Sequence, residues 1–169
     1  MRAPLLHALQ LLYFMAPAWL ANMAPPFARY LRRWNRPIHA RWFGTHKTTI
    51  GFFLAVATGA LATAAQAGIA APALWNRDAD WLWIGLGFGF GVAGGDLLKS
   101  FFKRRFGIAA GRPWLPFDQI DFALGSLLLV HPWVNLGAID VVALLAVTFC
   151  GDLVVNRLAF ALGIKETPW

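Results

Sequence analysis

Charge is scarce in this chain. Of its 169 residues only 14% are Asp, Glu, Lys or Arg, while 59% are hydrophobic. A soluble domain carries about 25% charged residues, which cover its surface against water. That shortage excludes an ordinary water-soluble globule and points to lipid as the main solvent. Acids are scarcer than bases, with eight Asp and Glu against fifteen Lys and Arg and a formal net charge of +7. The one cysteine, Cys150, excludes a disulfide framework within the chain and a cysteine zinc site. His7, His39, His46 and His131 are scattered and form no HxxxH or HExxH pattern, which argues against a histidine metal site. Positive charge on a soluble protein suggests nucleic acid. Here the basic residues lie in loops between apolar runs, where membrane topology accounts for them, so no nucleic-acid partner is expected.

Five apolar runs are present, at residues 4–23, 48–71, 81–95, 120–134 and 141–162. A span needs about 20 apolar residues. The third and fourth runs fall short, but each abuts a polar stretch that continues its helical pattern. The first run is read as a span and not as a cleaved signal segment, because removing it leaves no simple way to place Lys165 with the two basic loops. The loop after the first run holds Arg29, Arg32, Arg33, Arg36, Arg41 and Lys47. The loop after the third holds Lys99, Lys103, Arg104, Arg105 and Arg112, and Arg157 and Lys165 follow late in the chain. Only Arg2 and Arg77 fall on the other side. The positive-inside rule then predicts an external N-terminus and a cytoplasmic C-terminus in the cell membrane. The expected fold is all-α: one polytopic domain over residues 1–169, with about five transmembrane helices and a site built by the cytoplasmic loops. Gly87, Gly91 and Gly95 recur every four residues in the third run, the small-residue spacing that lets membrane helices approach closely. No strand precedes them and no Gly-Lys-Ser/Thr follows, so they are neither a dinucleotide fingerprint nor a P-loop.

Chemistry gathers between Gly94 and Asp121. Asp96, Lys99, Ser100, Lys103 and Arg104 stand at i, i+3, i+4, i+7 and i+8, positions that share one helix face. A snorkelling basic patch accounts for Lys103 and Arg104. It does not account for Asp96, an acid at the end of an apolar run that is costly without a partner or a metal. Asp118 and Asp121 stand at i and i+3 where the fourth run begins. Asp118 also suits a helix N-cap after Pro116. Three carboxylates beside several cations suit a divalent metal with polyphosphate, and carboxylate oxygens suit magnesium. Lys47 with Thr48 or Thr49 places donors at a helix N-terminus, where anions bind, although Thr at a helix start is commonly only a cap.

At these residues the chain resembles the CDP-archaeol synthase family, which is distantly similar to phosphatidate cytidylyltransferase. The resemblance rests on Ala21-Asn22 with Pro25, Pro37-Ile38, Lys47-Thr48 with Gly51, and Gly95-Asp96-Leu97 with Lys99-Ser100 and Lys103-Arg104. It continues in Pro116, Asp118-Gln119 and Asp121, then Asn156, Gly163-Ile164-Lys165 and Pro168-Trp169. No single motif decides it; order and spacing over the whole chain do. His39 stands where an acid is expected, the first basic loop is shortened, and Thr49-Ile50 replaces an aromatic-basic pair.

The resemblance implies a magnesium-dependent reaction of CTP with a membrane lipid phosphate, giving a CDP-lipid and pyrophosphate. It implies Asp96, Lys103, Asp118 and Asp121 as catalytic residues. Asp96, Asp118 and Asp121 are the expected metal ligands. Asn22, Lys47, Thr48, Lys99, Ser100 and Arg104 are expected to bind CTP and its phosphates. The lipid groove is expected along the first, second and fifth spans, with Phe52, Phe53 and Phe160 as walls. The expected partners are CTP, the lipid phosphate and the bilayer, with self-association left open. A transporter or channel is the main alternative, since intramembrane acids mark ion paths; Asp140, Asp152 and Arg157 keep it in view. A non-catalytic scaffold is another. A CDP-alcohol phosphotransferase lacks its expected Asp-Gly and repeated-Asp pattern here.

Overall fold

The structure, a computed structural model, describes residues 2–31, 35–69, 71, 74–75, 80–109 and 112–163. Arg32, Arg33, Arg77, Lys165 and the motif at residues 164–169 lie outside the described residues. Among the described residues every regular element is helical. Helices α1 (Arg2–Met23), α2 (Ala40–Phe43), α3 (Thr49–Gly68), α4 (Trp81–Arg105), α5 (Phe117–Val130) and α6 (Ala138–Ala161) follow in order, with short 3-10 turns at Pro25–Tyr30 and His131–Trp133. The all-α expectation holds. Backbone groups in lipid must be satisfied within their own segment, and a helix does this.

Four of these elements are long and apolar enough to cross a membrane: Pro4–Tyr30, Thr49–Gly68, Trp81–Arg105 and Ala138–Ala161. The third expected span reaches full length by continuing through its polar end to Arg105. The fourth does not. Helix α5 has 14 residues, or about 21 Å at 1.5 Å per residue, against an apolar core of about 30 Å. Pro116 precedes it, and the His131-Pro132 turn ends its α-helical hydrogen bonding. The chain still passes along the bundle five times. Lys47 before α3 meets Asp96 late in α4, and Lys99 meets Asp121 early in α5. At the opposite end His7, early in α1, pairs with Asp140 at the start of α6, 2.8 Å apart. Helices α1, α4 and α6 therefore run one way, and α3 and α5 return.

Glycines set the packing of α4 on both sides. A Cβ at Gly89 would lie 2.5 Å from Val56 Cα, and one at Gly59 would lie 2.6 Å from the Gly89 nitrogen, so α3 and α4 touch backbone to backbone. On the other face a Cβ at Gly91 or Gly95 would overlap the backbone of α5 at Ser126 and Asp121. The expected small-residue packing is thus present, but it forms two seams. A Cβ at Gly87 would meet the Val130 side chain first, at 3.1 Å, and the Leu129 backbone only at 3.7 Å. The core between α1, α4 and α5 is filled by Phe14, Met15, Ile84, Phe88, Val92, Phe122 and Val130, with the Phe14 and Phe88 rings edge-on at 5.2 Å. Ser126 Oγ donates to the Phe88 carbonyl at 3.3 Å, and Trp19 Nε1 donates to Thr148 Oγ1 at 3.0 Å. Such polar links join helices where lipid supplies no hydrophobic drive. Leu61, Leu128 and Ile139 are 71%, 76% and 85% exposed, as suits surfaces that meet acyl chains.

Candidate active site

The site forms where the ends of α1, α3, α4 and α5 meet. The first basic loop folds back on itself. Pro37 and Thr48 form an antiparallel bridge, with the Ile38 N–H donating to the Lys47 carbonyl at 2.8 Å and the Thr49 N–H to the Arg36 carbonyl at 3.0 Å. Gly44, at φ +89°, turns the chain after α2 in a conformation that favours glycine. His39, at the position where an acid was expected, caps α2, its Nδ1 accepting from the Trp42 N–H at 3.3 Å. Thr48 caps α3, its hydroxyl accepting from the Gly51 N–H at 3.2 Å. This loop geometry delivers Lys47 to Asp96, with Nζ 2.7 Å and 2.5 Å from the two carboxylate oxygens.

Lys99 is the hub. Its Nζ lies 3.1 Å from Asp96 Oδ1, 3.3 Å from Asp118 Oδ1 and 2.9 Å from Asp121 Oδ2. The Lys99–Asp121 contact is a close ion pair between two largely buried groups. Lys103 is buried; its Nζ donates to both Asp118 oxygens at 3.0 Å and to the Arg112 carbonyl at 2.6 Å. The Trp114 N–H donates to Asp118 Oδ2 at 2.6 Å. Asp118 therefore does not cap α5; it ties the loop before α5 to α4. Three lysines balance three aspartates in one connected network. Breaking one side of a buried ion pair leaves an uncompensated charge and is strongly destabilising. Placing α5 this close to α4 depends on Gly95, which lies against the Asp121 backbone.

Among the described residues no group of three or more His, Cys, Asp or Glu side chains is arranged around a common metal position. The expected metal ligands Asp96, Asp118 and Asp121 converge instead on the Lys99 ammonium. Three carboxylate oxygens around one positive centre are a hard donor set, the chemistry magnesium prefers.

Two spaces meet near this end of the bundle, and the first borders the network at Lys47 and Asp96. A polar cleft of about 500 Å³ is lined by Asn22, Arg29, Asn35, His46, Lys47, Thr48 and Asp96 among others. An apolar groove of about 410 Å³ runs between α1 and α6, lined by Leu12, Trp19, Met23, Phe122, Val147 and Val155, with Asn22, Thr148 and Asp152 as its polar residues. Asn22 borders both spaces.

Residues 35–169 match the CarS-like CDP-archaeol synthase family model, which is four-fifths of the chain. The chain belongs to the CDP-archaeol synthase family. It is 33% identical over 168 residues to the CDP-archaeol synthase of Thermofilum pendens, covering 92% of this chain and 78% of that one. It is 31% identical to the enzyme of Thermococcus onnurineus, covering 93% and 94% of the two chains. A solved structure described as an intramembrane enzyme for archaeal membrane lipid biosynthesis superposes with a TM-score of 0.66 at 27% identity. That match covers 85% of this chain and 90% of that one.

Within this family member, Asn22, Lys47, Thr48, Asp96, Lys99, Lys103, Asp118 and Asp121 gather at one end, where the sequence put them. Ser100 is buried on α4 one turn beyond Asp96. Arg104 departs from the expectation. At about 100° per residue, position 104 lies about 80° round the helix from Asp96, and Lys99 about 60° the other way, toward α5. Arg104 thus falls off the shared face and lines a separate cleft with Arg41 and Arg105. The groove walls also differ from those expected. Phe52 borders a smaller cavity beside Lys47 and Asp96, while Phe53 and Phe160 are exposed on the outer surface. Sequence reasoning missed the Trp114 N–H and the Arg112 carbonyl, main-chain groups that no side-chain pattern reveals. It also missed Trp19, Thr148 and Phe122 as groove walls, for which only the apolar or small character of their spans was a signal.

Proposed function

We propose that this protein is a CTP-dependent cytidylyltransferase that converts a membrane lipid phosphate monoester into a CDP-lipid, releasing pyrophosphate, with an archaeol-type lipid as acceptor. The observation that carries the reading is the Asp96–Lys99–Asp118–Asp121 network, bordered at Asp96 by a polar cleft that shares Asn22 with an apolar groove. Family membership supports it independently.

CTP lies in the polar cleft, with its phosphates toward Lys47, Thr48 and Lys99. The lipid chains lie in the groove between α1 and α6, and its phosphate enters past Asn22. A lipid phosphate oxygen attacks the α-phosphorus of CTP. A new P–O bond forms, the bond to the β-phosphate oxygen breaks, and pyrophosphate leaves with that electron pair. The second pKa of a phosphate monoester is about 6, so the nucleophile is already largely dianionic at neutral pH. No general base is needed. The obstacle is repulsion between two polyanions. Lys47, Lys99 and Lys103 meet it by exchanging carboxylate partners for phosphate oxygens, which holds the reactants in line. Asp96, Asp118 and Asp121 are the residues that would hold magnesium, which when bound supplies charge neutralisation for the triphosphate and the leaving pyrophosphate. An ion path is the weaker reading, because the network sits at one end of the bundle and not at its middle.

The end bearing the site faces the cytoplasm, where CTP is found and where basic loops are retained. In a Cys150→Ser background, a cysteine at exposed His131 should react with an impermeant reagent on intact cells. A cysteine at exposed Thr45 should react only after permeabilisation. The reverse pattern would contradict the orientation. The reaction itself is tested by supplying purified protein with labelled CTP and two competing acceptors, digeranylgeranylglyceryl phosphate and a diacyl phosphatidate. Preferential labelling of the isoprenoid ether lipid is expected. Apolar contacts discriminate by about 1–3 kcal/mol per methylene-scale difference, so weak transfer to the diacyl lipid is compatible. Exclusive use of the diacyl lipid would overturn the acceptor assignment, and no pyrophosphate release with either lipid would overturn the reaction.

A further inference from the structure

Arg41, Trp42, Phe101, Arg104 and Arg105 line a cleft of about 380 Å³ between α2 and the end of α4. It shares no lining residue with the polar cleft beside Asp96 or with the apolar groove. Three guanidinium groups and no carboxylate border it. Among the described residues none of the three arginines has an ion-pair partner. Arg41 and Arg105 are exposed. Arg104 is half-buried, and its Nε is closed off from solvent without a hydrogen-bond acceptor. A buried donor left unpaired is costly, and an acidic oxygen in this cleft would relieve that cost.

The walls are aromatic. Trp42 is 53% exposed, stacks on His39 at 4.7 Å and meets the Phe101 ring edge-on at 6.2 Å. Phe102 and Phe106, next along the same helix end, are also exposed. A spanning helix that ends in exposed aromatics and basic residues marks the depth of lipid headgroups. Arginine forks match phosphate oxygens in bidentate fashion. We propose that this cleft holds the phosphodiester headgroup of an anionic lipid from the surrounding leaflet, a ligand separate from the reacting lipid phosphate. The exposed aromatic walls favour a lipid over free phosphate, because they offer the glycerol and upper acyl chain an apolar surface. The cleft is joined to the site through the folded-back loop, since α2 and Lys47 belong to one stretch of chain held by the Pro37–Thr48 bridge. An occupied cleft would steady that loop. The proposal does not depend on the cytidylyl-transfer reading.

Native mass spectrometry of the protein in neutral detergent tests it, with short-chain phosphatidylglycerol, phosphatidylcholine and inorganic phosphate as probes. Phosphatidylglycerol should be retained and phosphatidylcholine should not. At about 1 kcal/mol for each basic residue, the Arg41→Gln/Arg105→Gln double variant should bind phosphatidylglycerol roughly thirty-fold more weakly. Inorganic phosphate at equal concentration should not displace the lipid. Arg105→Glu, a single change at an exposed position, should weaken retention too and guards against misfolding of the double variant. Equal retention of the two lipids, or unchanged retention in both variants, would overturn the site. Displacement by inorganic phosphate would overturn the lipid as its ligand.

Discussion

Two clusters of positive charge stand at the same end of the bundle and differ in kind. The lysines Lys47, Lys99 and Lys103 are matched one for one by Asp96, Asp118 and Asp121 in a closed network. The arginines Arg41, Arg104 and Arg105 share a cleft with no acid at all. A lysine ammonium is a point charge on a flexible stem that can change partners, whereas a guanidinium is a rigid fork suited to a standing phosphate contact. A balanced network that must let go and re-form suits a reaction. An unbalanced cleft suits retention. On α4 helical phase separates them, since Lys103 and Arg104 are neighbours in sequence and about 100° apart round the helix.

The comparison can be broken most forcefully at the lysine side. Asp96→Asn keeps volume and removes the charge that Lys47 and Lys99 share. It should lower cytidylyl transfer at least roughly a hundredfold, about 2.7 kcal/mol of transition-state stabilisation, while the protein elutes as a folded species. Next comes the seam that seats Asp121. Gly95→Ala forces its Cβ into the α5 backbone, whereas a Cβ at the adjacent Gly94 meets nothing within 4 Å. Overpacking of this kind costs about 1–3 kcal/mol. Gly95→Ala should therefore lower both the thermal midpoint and turnover, and Gly94→Ala should change neither. A pair of equally tolerated variants would show that the close approach of α4 and α5 is dispensable.

Lys103→Met should have an intermediate effect. It removes a buried donor to Asp118 and to the Arg112 carbonyl but leaves Asp118 the Trp114 N–H and Lys99. A fall in kcat/KM of roughly ten- to a hundredfold is expected, about 1.4–2.7 kcal/mol, measured by initial rates over a range of CTP concentrations. The smallest effect lies at the far end. His7→Ala breaks the pair with Asp140, which is remote from the network and exposed, and exposed pairs contribute little. Turnover should stay within about twofold of the parent. A large loss there would show that the two ends of the bundle are coupled.

Much of this was legible in the sequence, because lipid imposes a strong rule. Apolar runs of span length must be helices, and basic loops must share a side. Asp96 announced itself as an acid that lipid would not tolerate alone. Phase was less legible. A helical repeat that places residues 96 to 104 on one face conceals a drift of some tens of degrees, enough to send Arg104 to a different cleft. The brevity of α5 was concealed because residues 120–134 stay apolar through the turn that begins at His131. The pairing of Lys47 with Asp96 spans 49 residues, and only the folded-back loop reveals it. The two glycine seams needed the partner helices, since spacing alone shows that a helix can be approached closely but not from how many sides.

The central claim is that the aspartate–lysine network performs cytidylyl transfer. It is tested most directly by pyrophosphate release from CTP and digeranylgeranylglyceryl phosphate, comparing the parent protein with Asp96→Asn and Asp121→Asn in one detergent preparation with magnesium. The account predicts lipid-dependent release by the parent and a loss of at least roughly a hundredfold in each variant, with unchanged elution. Release that persists above about a tenth of the parental rate in both variants would contradict it.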